Sequence, residues 1–494
     1  MGDTSNGGIV RSLAALGLRA RGGAEARITG LSVDSRAVRP GHLFVALPGS
    51  RAHGAGFIPQ ALRAGAAAVL TDRAGLEAAG DAPGVPVIVA EDARETLALT
   101  AALWWGAQPD TMVAVTGTNG KTSVASFTRQ IWQALGHPAV NLGTTGVEGD
   151  HSAALAHTTP EPVTLHRILA EIAGAGVGHA AMEASSHGLA QRRLDAVRLR
   201  AAAFTNLSQD HLDYHSDLEA YFEAKAGLFA RVLPEDGTAV INMEDPRGAA
   251  MAAIARRRGQ RVLRLGRGGE DDLRLVAQRF DATGQELRLA WRGAPRQVRL
   301  GLIGGFQAEN VLLAAGLAIA CGDAPGEIFD ALHRLETVRG RMQHVGTRGN
   351  GAPVFVDYAH TPAALATALS ALRPHVMGRL VVVFGAGGDR DRAKRPMMGA
   401  AAAEHADQAF VTDDNPRSED PAAIRAQIVA ACPGACEVGD RAEAILRGVD
   451  ALGPGDALLI AGKGHETGQI MGDDIYPFDD AEQASVAVAA LEPR

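Results

Sequence analysis

A chain of 494 residues is too long for one hydrophobic core and implies two to four domains. With 46% hydrophobic and 21% charged residues it has a globular composition, and no run of about 18 apolar residues offers a membrane-spanning helix. A formal charge of −8 argues against nucleic acid as a partner, and three cysteines are too few for a disulfide framework. Cys432 and Cys436 lack a second pair of ligands for a zinc site. The stretch "IVRSLAALGLRARG" is too short in its apolar part and too basic after it for a signal peptide. Asn6 stands where a myristoylation signal wants Ser or Thr, so a cytoplasmic location is expected.

Residues 1–105 carry short apolar stretches ("LFVAL", "AAAVLT", "VPVIVA") between Gly/Pro-rich turns. From "TMVAVTG" onward, residues 106–336, apolar strands alternate with helical patterns. "SVASFTRQIWQAL" has helical spacing, while "HAAMEAS", "AAAFTNLS" and "GTAVINME" read as strands. Within 262–300 the segments "VLRLG", "DLRLVAQRF", "QELRLAW" and "RQVRLGL" predict antiparallel strands. The βα rhythm restarts in 337–494 with strands "PVFVDY", "LVVVFG", "AFVTD" and "ALLIAG", separated by helices such as "PAALATALSAL". Two parallel α/β units follow from this order, and no internal repeat is present.

In open α/β sheets ligands bind beyond the carboxyl ends of the strands. The unusual polar clusters occupy that position: Gly117–Thr122, Glu183–His187, Asn206–His211 and Asn242–Asp245, then Asp357–His360, Gly387–Arg395, Asp413–Arg417 and Gly462–Glu466. The most specific is "VAVTGTNGKTS", a strand, a glycine turn, and Lys-Thr opening a helix. Backbone N–H groups freed by Gly117 and Gly120 can curl around phosphate oxygens, with Thr118, Asn119 and Ser123 in the same turn. Lys121 would reach the β- and γ-phosphates, and the Thr122 hydroxyl would bind Mg²⁺. Val115 occupies the first glycine of the strict pattern, so the match implies ATP or GTP without saying what is done with it.

Other polar positions are less specific. Glu183 ends a strand as either a second magnesium ligand or a helix cap. "TNLSQDHLDYH" packs Asn206, Asp210, His211, Asp213 and His215 into ten positions, which capping and surface hydrogen bonds can largely absorb. Lys225 in "YFEAKAGLF" reads, on its own, as a lysine snorkelling from an apolar helix face. "VTDDNPRSED" admits a helix cap, a metal site, or a device that reads a charged small molecule.

Taken together, the motifs resemble the Mur ligase family of ATP-dependent, amide-forming enzymes, and within it the type that adds the third residue. "TGTNGKTS" matches its variant phosphate loop. In order follow "DSRAVRPGHLFVALPG" upstream and "NLGTTG", "HTTPEP", "MEASSHGLAQRRL", "TNLSQDHLDYH", "VDYAHTPAAL", "FGAGGDRDRAKRPMMG", "DDNPR" and "AGKGHE" downstream. The resemblance implies an α/β fold of three domains: an N-terminal one for the UDP end of the substrate, a central phosphate-loop ATPase, and a C-terminal Rossmann-like domain for the incoming amino acid. It implies extension of UDP-N-acetylmuramoyl-L-alanyl-D-glutamate by a monomeric enzyme.

The resemblance also implies roles. Ser35 lies near the uridine diphosphate, and Thr158, Thr159, Ser185, Gln191 and Arg193 hold the muramoyl dipeptide. Thr122 and Glu183 bind one Mg²⁺; His211 and a Lys225 carbamylated by CO₂ bind another. Lys121, Glu183, His211 and Lys225 form the catalytic set, while Asn310, Arg341, Asp357 and His360 serve the nucleotide. Three departures stand out: Gln307 for the family's first Asn in "G-F-N-x-x-N", and Arg339 and Gln343 within "VRGRMQ" where "V-P-G-R-M-E" is usual.

The third residue in this type is chiefly meso-diaminopimelate or L-lysine. Diaminopimelate carries an additional carboxylate beside its distal amine. Arg417 can meet that carboxylate with fork geometry, Asn415 can donate or accept beside it, and Arg390 adds positive charge. Glu466 and the Gly462 carbonyl can accept from the amine. The family's D-N-P-R form, here including Asp414 and Pro416, is the diaminopimelate one. Helix capping is expected of Ser418 or a nearby Asp. A switch-type nucleotide-binding protein would need an "NKxD" motif, which is absent, and "GAGGDR" does not fit a dinucleotide fingerprint.

Overall fold

The computed structural model describes residues 9–49, 52–79, 84–208 and 214–491. Two compact units make up the chain: Met1–Lys121 with Gly136–Arg264 and Gly316–Asp323, and Thr122–Leu135 with Leu265–Ala315 and Ala324–Arg494.

The first unit opens with a parallel sheet of strands Gly30–Ser32, His42–Ala46, Ala68–Thr71 and Val87–Val89, in that order. Alternate side chains of "HLFVA" serve opposite faces. Leu43 and Val45 pack with Leu97 and Trp104, whereas Phe44 and Ala46 pack with Ile58 and Ala61. The helix Ala93–Trp105 begins at Asp92, whose carboxylate accepts from the N–H groups of Arg94 and Glu95.

The larger sheet of this unit runs Thr238–Asn242, Leu199–Phe204, Thr111–Thr116, His179–Glu183, Ala139–Gly143, Gly146–Gly149. All neighbours are parallel except the last pair. Thr111–Thr116 is fully buried and flanked on both sides, so the chain leaves it at the point where strand order reverses. Register then decides what surrounds that exit. Glu183 lies opposite Val115 and Phe204 opposite Thr116, which brings the ends of three strands level with residue 117.

In the second unit, strands Leu273–Asp281, Gly284–Trp291 and Ala294–Leu300 form an antiparallel meander. Its second turn places Arg292 and Gly293 at φ of 45° and 85°, the twist a two-residue hairpin requires. The segment "VLRLG" departs from the antiparallel expectation. Leu265 and Gly266 pair parallel with Leu273 and Arg274. The link 267–272 sidesteps one strand spacing without reversing the chain, so only the end of one strand meets the start of the next.

The main sheet of the second unit runs Gln343–Thr347, Pro353–Asp357, Ala457–Ala461, Leu380–Phe384, Gln408–Val411, Cys436–Glu437, antiparallel only at its first pair. Val382 and Phe384 face one core, Val381 and Val383 the other, as expected of a sheet covered on both sides. The loops following Asp357, Phe384, Val411 and Ala461 therefore gather at one edge. Beneath them Arg441 and Asp480, both with fully buried side chains, make two hydrogen bonds of 2.7 Å each. No helix among the described residues is long and apolar enough to cross a membrane.

Candidate functional site

The phosphate loop is a formed cradle. Gly117 has φ of 150° and Gly120 of 85°, and a Cβ on Gly117 would lie 1.8 Å from Thr205 Oγ1. The neighbouring strand end braces the loop. Thr118 N–H donates to the Asn206 carbonyl, Asn119 N–H donates to Asn206 Oδ1 at 2.9 Å, and the Thr205 hydroxyl donates to the Asn119 carbonyl. Asn242 and Asp245 prove to be supports: Asn242 donates to the Thr205 carbonyl and Asp245 accepts from Leu207 N–H. The helix Lys121–Ala134 follows directly, with Thr122 and Ser123 buried in its first turn.

Two lysines converge on one atom. Lys121 Nζ donates to the carbonyls of Gly117 at 2.9 Å and Thr118 at 2.7 Å, and Lys225 Nζ donates to the same Gly117 carbonyl at 2.7 Å. Lys225, on the helix Leu218–Gly227, is 1% exposed with its ammonium 4.3 Å from the Tyr221 ring centre. Burial overturns the snorkelling reading, because the surrounding chain closes over the ammonium group. Two cations on one carbonyl repel each other, so the arrangement favours an anion at the loop. A carbamate on Lys225 would remove that repulsion, so the chemistry of the position fits one. His211 lies outside the described residues.

Glu183 is 2% exposed, and its Oε1 accepts from Thr144 N–H at 2.8 Å. The Thr144 hydroxyl continues to Glu183 Oε2 at 3.3 Å and to Thr158 Oγ1 at 3.1 Å. It is Ser185, not Glu183, that caps the helix Ser186–Ala190, by accepting from Gly188 N–H. No group of three or more His, Cys, Asp or Glu that could hold a metal ion stands among the described residues. Such sparse ligation still fits magnesium, which takes one or two carboxylates plus substrate phosphates and water.

The five expected dipeptide residues form one network. Thr159 donates to the Glu183 carbonyl and accepts from Ser185 N–H, and Arg193 donates to the Thr159 carbonyl and to Gln191 Oε1. Burial and the nearby Arg94 lower the affinity of the Arg193 guanidinium for its proton. A recess of about 140 Å³ joins Gln191 and Arg193 to Val33, Leu47, Arg94 and Glu161. Arg94 and Glu161 were not anticipated, because each also serves a helix start and looks structural in sequence. Ser35 donates to Gln60 Oε1 at 3.1 Å within the small sheet's flank.

Beyond the phosphate loop and its helix, the residues expected to serve the nucleotide lie in the second unit. Asn310 donates to Gln307 Oε1 at 3.1 Å, so the Gln307 departure keeps an amide pair in place. Asp357 accepts from the N–H groups of Met342 and Ala359, and desolvation by burial, partly offset by Arg341, raises its pKa. Arg341 stacks 4.4 Å from the Tyr358 ring centre, and His360 is exposed. The other departures have partners: Arg339 pairs with Asp479, and Gln343 Oε1 accepts from Gly340 N–H.

The loop "DDNPRSED" is tied down at nearly every residue. Asp413 pairs with Arg425, and burial raises its carboxyl pKa. Asp420 caps the helix Pro421–Val429, while Ser418 donates instead to Asp389 Oδ1 at 2.7 Å. Asn415, 5% exposed, accepts at Oδ1 from Lys463 Nζ at 2.8 Å and Ile470 N–H at 3.0 Å, and donates from Nδ2 to Glu466 Oε2 at 3.0 Å. Asp414 lies under Gly462, whose φ of 121° and close approach to Asp414 Oδ2 leave no room for a Cβ. Pro416 is buried, and its carbonyl abuts Gly388.

Arg417 adopts φ of 52°. Its N–H donates to the Ile470 carbonyl at 3.1 Å, and its carbonyl accepts from Gly472 N–H at 2.8 Å. Thus the hairpin Gly468–Met471 and Asp474–Pro477 clasps the loop through its main chain. The Arg417 guanidinium donates through Nη1 to the Gly388 carbonyl at 2.9 Å and has no acidic partner among the described residues. Arg390 is exposed on the adjoining loop, which Arg395 anchors from below by pairing with Glu419 at 2.8 Å. That pairing holds the Glu419 carboxyl down at about 2. Sequence reasoning missed Lys463 and Arg395. The available signal was a cation beside buried glycines and apolar residues, where an unpaired charge is costly.

A phosphate cradle on one α/β sheet and a charged loop cluster on a second fit a nucleotide-dependent ligase. The chain belongs to the Mur ligase family. The family's models match residues 27–105 (Mur ligase family, catalytic domain), 115–318 (Mur ligase middle domain) and 340–464 (Mur ligase, glutamate ligase domain). It is 52% identical over 467 residues, 94% of this chain and 95% of the relative, to the UDP-N-acetylmuramoyl-L-alanyl-D-glutamate–2,6-diaminopimelate ligase of Bradyrhizobium diazoefficiens. A solved structure of a ligase of that name matches with TM-score 0.71 at 33% identity, covering 94% of this chain and 95% of the other. The MurF ligase of Thermotoga maritima in complex with ADP shares the fold, with TM-score 0.59 at 18% identity over 91% and 95% of the two chains.

Proposed function

We propose that this chain joins meso-2,6-diaminopimelate to the D-glutamate γ-carboxylate of UDP-N-acetylmuramoyl-L-alanyl-D-glutamate, with cleavage of ATP, as a step of peptidoglycan precursor synthesis. The observation that carries the third residue is the chemistry of one loop cluster. It offers a guanidinium (Arg417) and a carboxylate (Glu466), each hydrogen-bonded to Asn415 between them, which suits a ligand end bearing both carboxylate and ammonium. Identity of 52% to a relative of that name supports the same reading.

The substrate carboxylate attacks the γ-phosphorus of ATP, breaking the bond to the β-phosphate bridging oxygen and forming an acyl phosphate and ADP. The free amine of the incoming amino acid attacks the acyl carbon, and the tetrahedral intermediate expels phosphate. Lys121 neutralises charge on the transferring group, where stabilisation is mainly positional and electrostatic. Thr122, Glu183, His211 and the carbamate of Lys225 would hold magnesium, which supplies further neutralisation of phosphate charge when bound. Thr158, Thr159, Ser185, Gln191 and Arg193 orient the dipeptide, Ser35 the uridine end. Asn310, Arg341, Asp357 and His360 serve the nucleotide, and domain boundaries after residues 105 and 336 complete the proposal, as does a cytoplasmic monomer.

Phosphate release with the UDP-muramoyl dipeptide, comparing meso-diaminopimelate, L-lysine and L-ornithine, tests it, with mass spectrometry of the product. Turnover of diaminopimelate that exceeds that of lysine and ornithine by orders of magnitude is expected. Equal turnover of lysine would refute the assigned amino acid.

A further inference from the structure

We infer that Lys463 is a positioning residue that sets selectivity at the amino-acid subsite, acting through Asn415 and Glu466 without touching the substrate. The inference rests on the diaminopimelate reading above and adds to it the group that keeps the reading loop in its selective state.

Three features lead to it. Lys463 is 0% exposed, so no part of it is presented to a ligand. Its ammonium donates to Asn415 Oδ1 at 2.8 Å and stands 3.8 Å from both Asp414 Oδ1 and Glu466 Oε2. The Asn415 amide, finally, is bracketed by groups of fixed polarity. Lys463 and Ile470 N–H can only donate, and the Glu466 carboxylate can only accept, so the amide has a single orientation that satisfies all of them. Lys463 and Ile470 N–H together thus fix the direction of Asn415, and Asn415 in turn holds Glu466.

Charge balance gives the consequence. With Lys463 present, its charge faces both Asp414 and Glu466, while the neighbouring Arg441 is balanced by Asp480 and Arg417 lies in the field of Asp389, which suits the distal end of diaminopimelate, a carboxylate and an ammonium with no net charge. Removing the Lys463 charge leaves the cluster one unit more negative. Such a site holds the distal end of lysine, a bare ammonium, better than before and the zwitterion less well. A residue with a merely structural role would not shift the preference between two substrates in this way.

The test uses Lys463→Met and Lys463→Gln in the full chain, with thermal melts and steady-state constants for ATP, diaminopimelate and lysine. The KM for diaminopimelate should rise about tenfold or more while that for ATP stays within about twofold. The ratio of kcat/KM for diaminopimelate over lysine should fall by about tenfold. An unchanged ratio, or parallel rises in both KM values, overturns the inference. Should neither variant fold, Lys463→Arg provides the second arm: it keeps the buried charge, so the ratio should stay within about threefold of the wild type, and a tenfold fall there is equally fatal. Wild-type protein that does not use diaminopimelate would refute the underlying reading, whereas normal wild-type use with an unshifted ratio in the variants refutes only the role of Lys463.

Discussion

Arg417→Ala isolates the fork proposed to read the distal carboxylate. The backbone consequence is small: φ of 52° is equally uncomfortable for alanine and arginine, and the clasp from Ile470 and Gly472 uses main-chain atoms that the substitution leaves in place. What disappears is a half-buried guanidinium already oriented by the Gly388 carbonyl at 2.9 Å. Truncating one partner of a desolvated, hydrogen-bonded charge pair costs about 2–5 kcal/mol, and half-burial places this contact at about 2–3 kcal/mol. At about 1.4 kcal/mol per factor of ten, kcat/KM for diaminopimelate should fall about 30- to 140-fold, mostly through KM. Phosphate release under saturating ATP and UDP-dipeptide measures it, with Arg417→Lys as the control that keeps charge without the fork and falls in between. Lysine turnover, low as it is, should be spared, because lysine has no distal carboxylate for Arg417 to lose. An unchanged KM for diaminopimelate, in a variant that melts like the wild type, would refute the fork.

Four other outcomes follow from the geometry. Lys121→Ala should lower turnover by about 100-fold or more, since it removes a cation from the phosphate cradle; near-normal tripeptide formation would contradict that placement. Protein equilibrated with ¹³C-bicarbonate should show a carbamate resonance that Lys225→Arg abolishes, and the same resonance in the variant would place the carbamate elsewhere. Arg441→Met should destabilise the fold by about 3–5 kcal/mol, because it strands the fully buried Asp480 carboxylate, as a denaturant titration would read. His166, 0% exposed on the helix Pro162–Gly174, has its pKa lowered to about 4 by burial and by Arg198. The unfolded chain binds that proton more readily, so stability present above pH of about 6.5 is lost progressively as pH falls towards about 4, by up to about 3 kcal/mol. His166→Phe should flatten that part of the melting-temperature profile.

The chemistry visible in sequence was the chemistry carried by neighbouring residues. A glycine turn between strand and helix announces a phosphate loop because the glycines, the lysine and the helix start are contiguous. Asn415, Arg417 and Glu466 were legible because polar residues at strand ends are conspicuous. Lys463 was not, although it sits in the same short motif as Glu466, because its meaning comes from an amide 48 positions away and from complete burial, neither of which has a local signature. The same holds for Lys225, where the helix pattern alone suits a solvated ammonium and tertiary packing decides otherwise. Ser418 and Asp420 are equally good caps in sequence, and the choice falls to Asp420 because Asp389, from another loop, engages Ser418. The parallel start of Leu273–Asp281 was missed for a related reason: strand patterns reveal faces, not the direction in which neighbours run.

The grip of the hairpin on Arg417 also says how this protein can drift. Because the bonds come from the main chain of Ile470 and Gly472, exchange of hairpin side chains such as Ile475 (71% exposed) and Tyr476 (52% exposed) leaves the grip intact. A single inserted or deleted residue would do the opposite, turning the carbonyl of Ile470 away from the loop and changing register throughout the short ladder. At these exposed positions point substitution is therefore close to neutral for substrate choice, whereas Gln469, whose side chain donates to the Asp414 carbonyl, and Gly472, at φ of 61°, are held, and a change of length disturbs the whole grip at once.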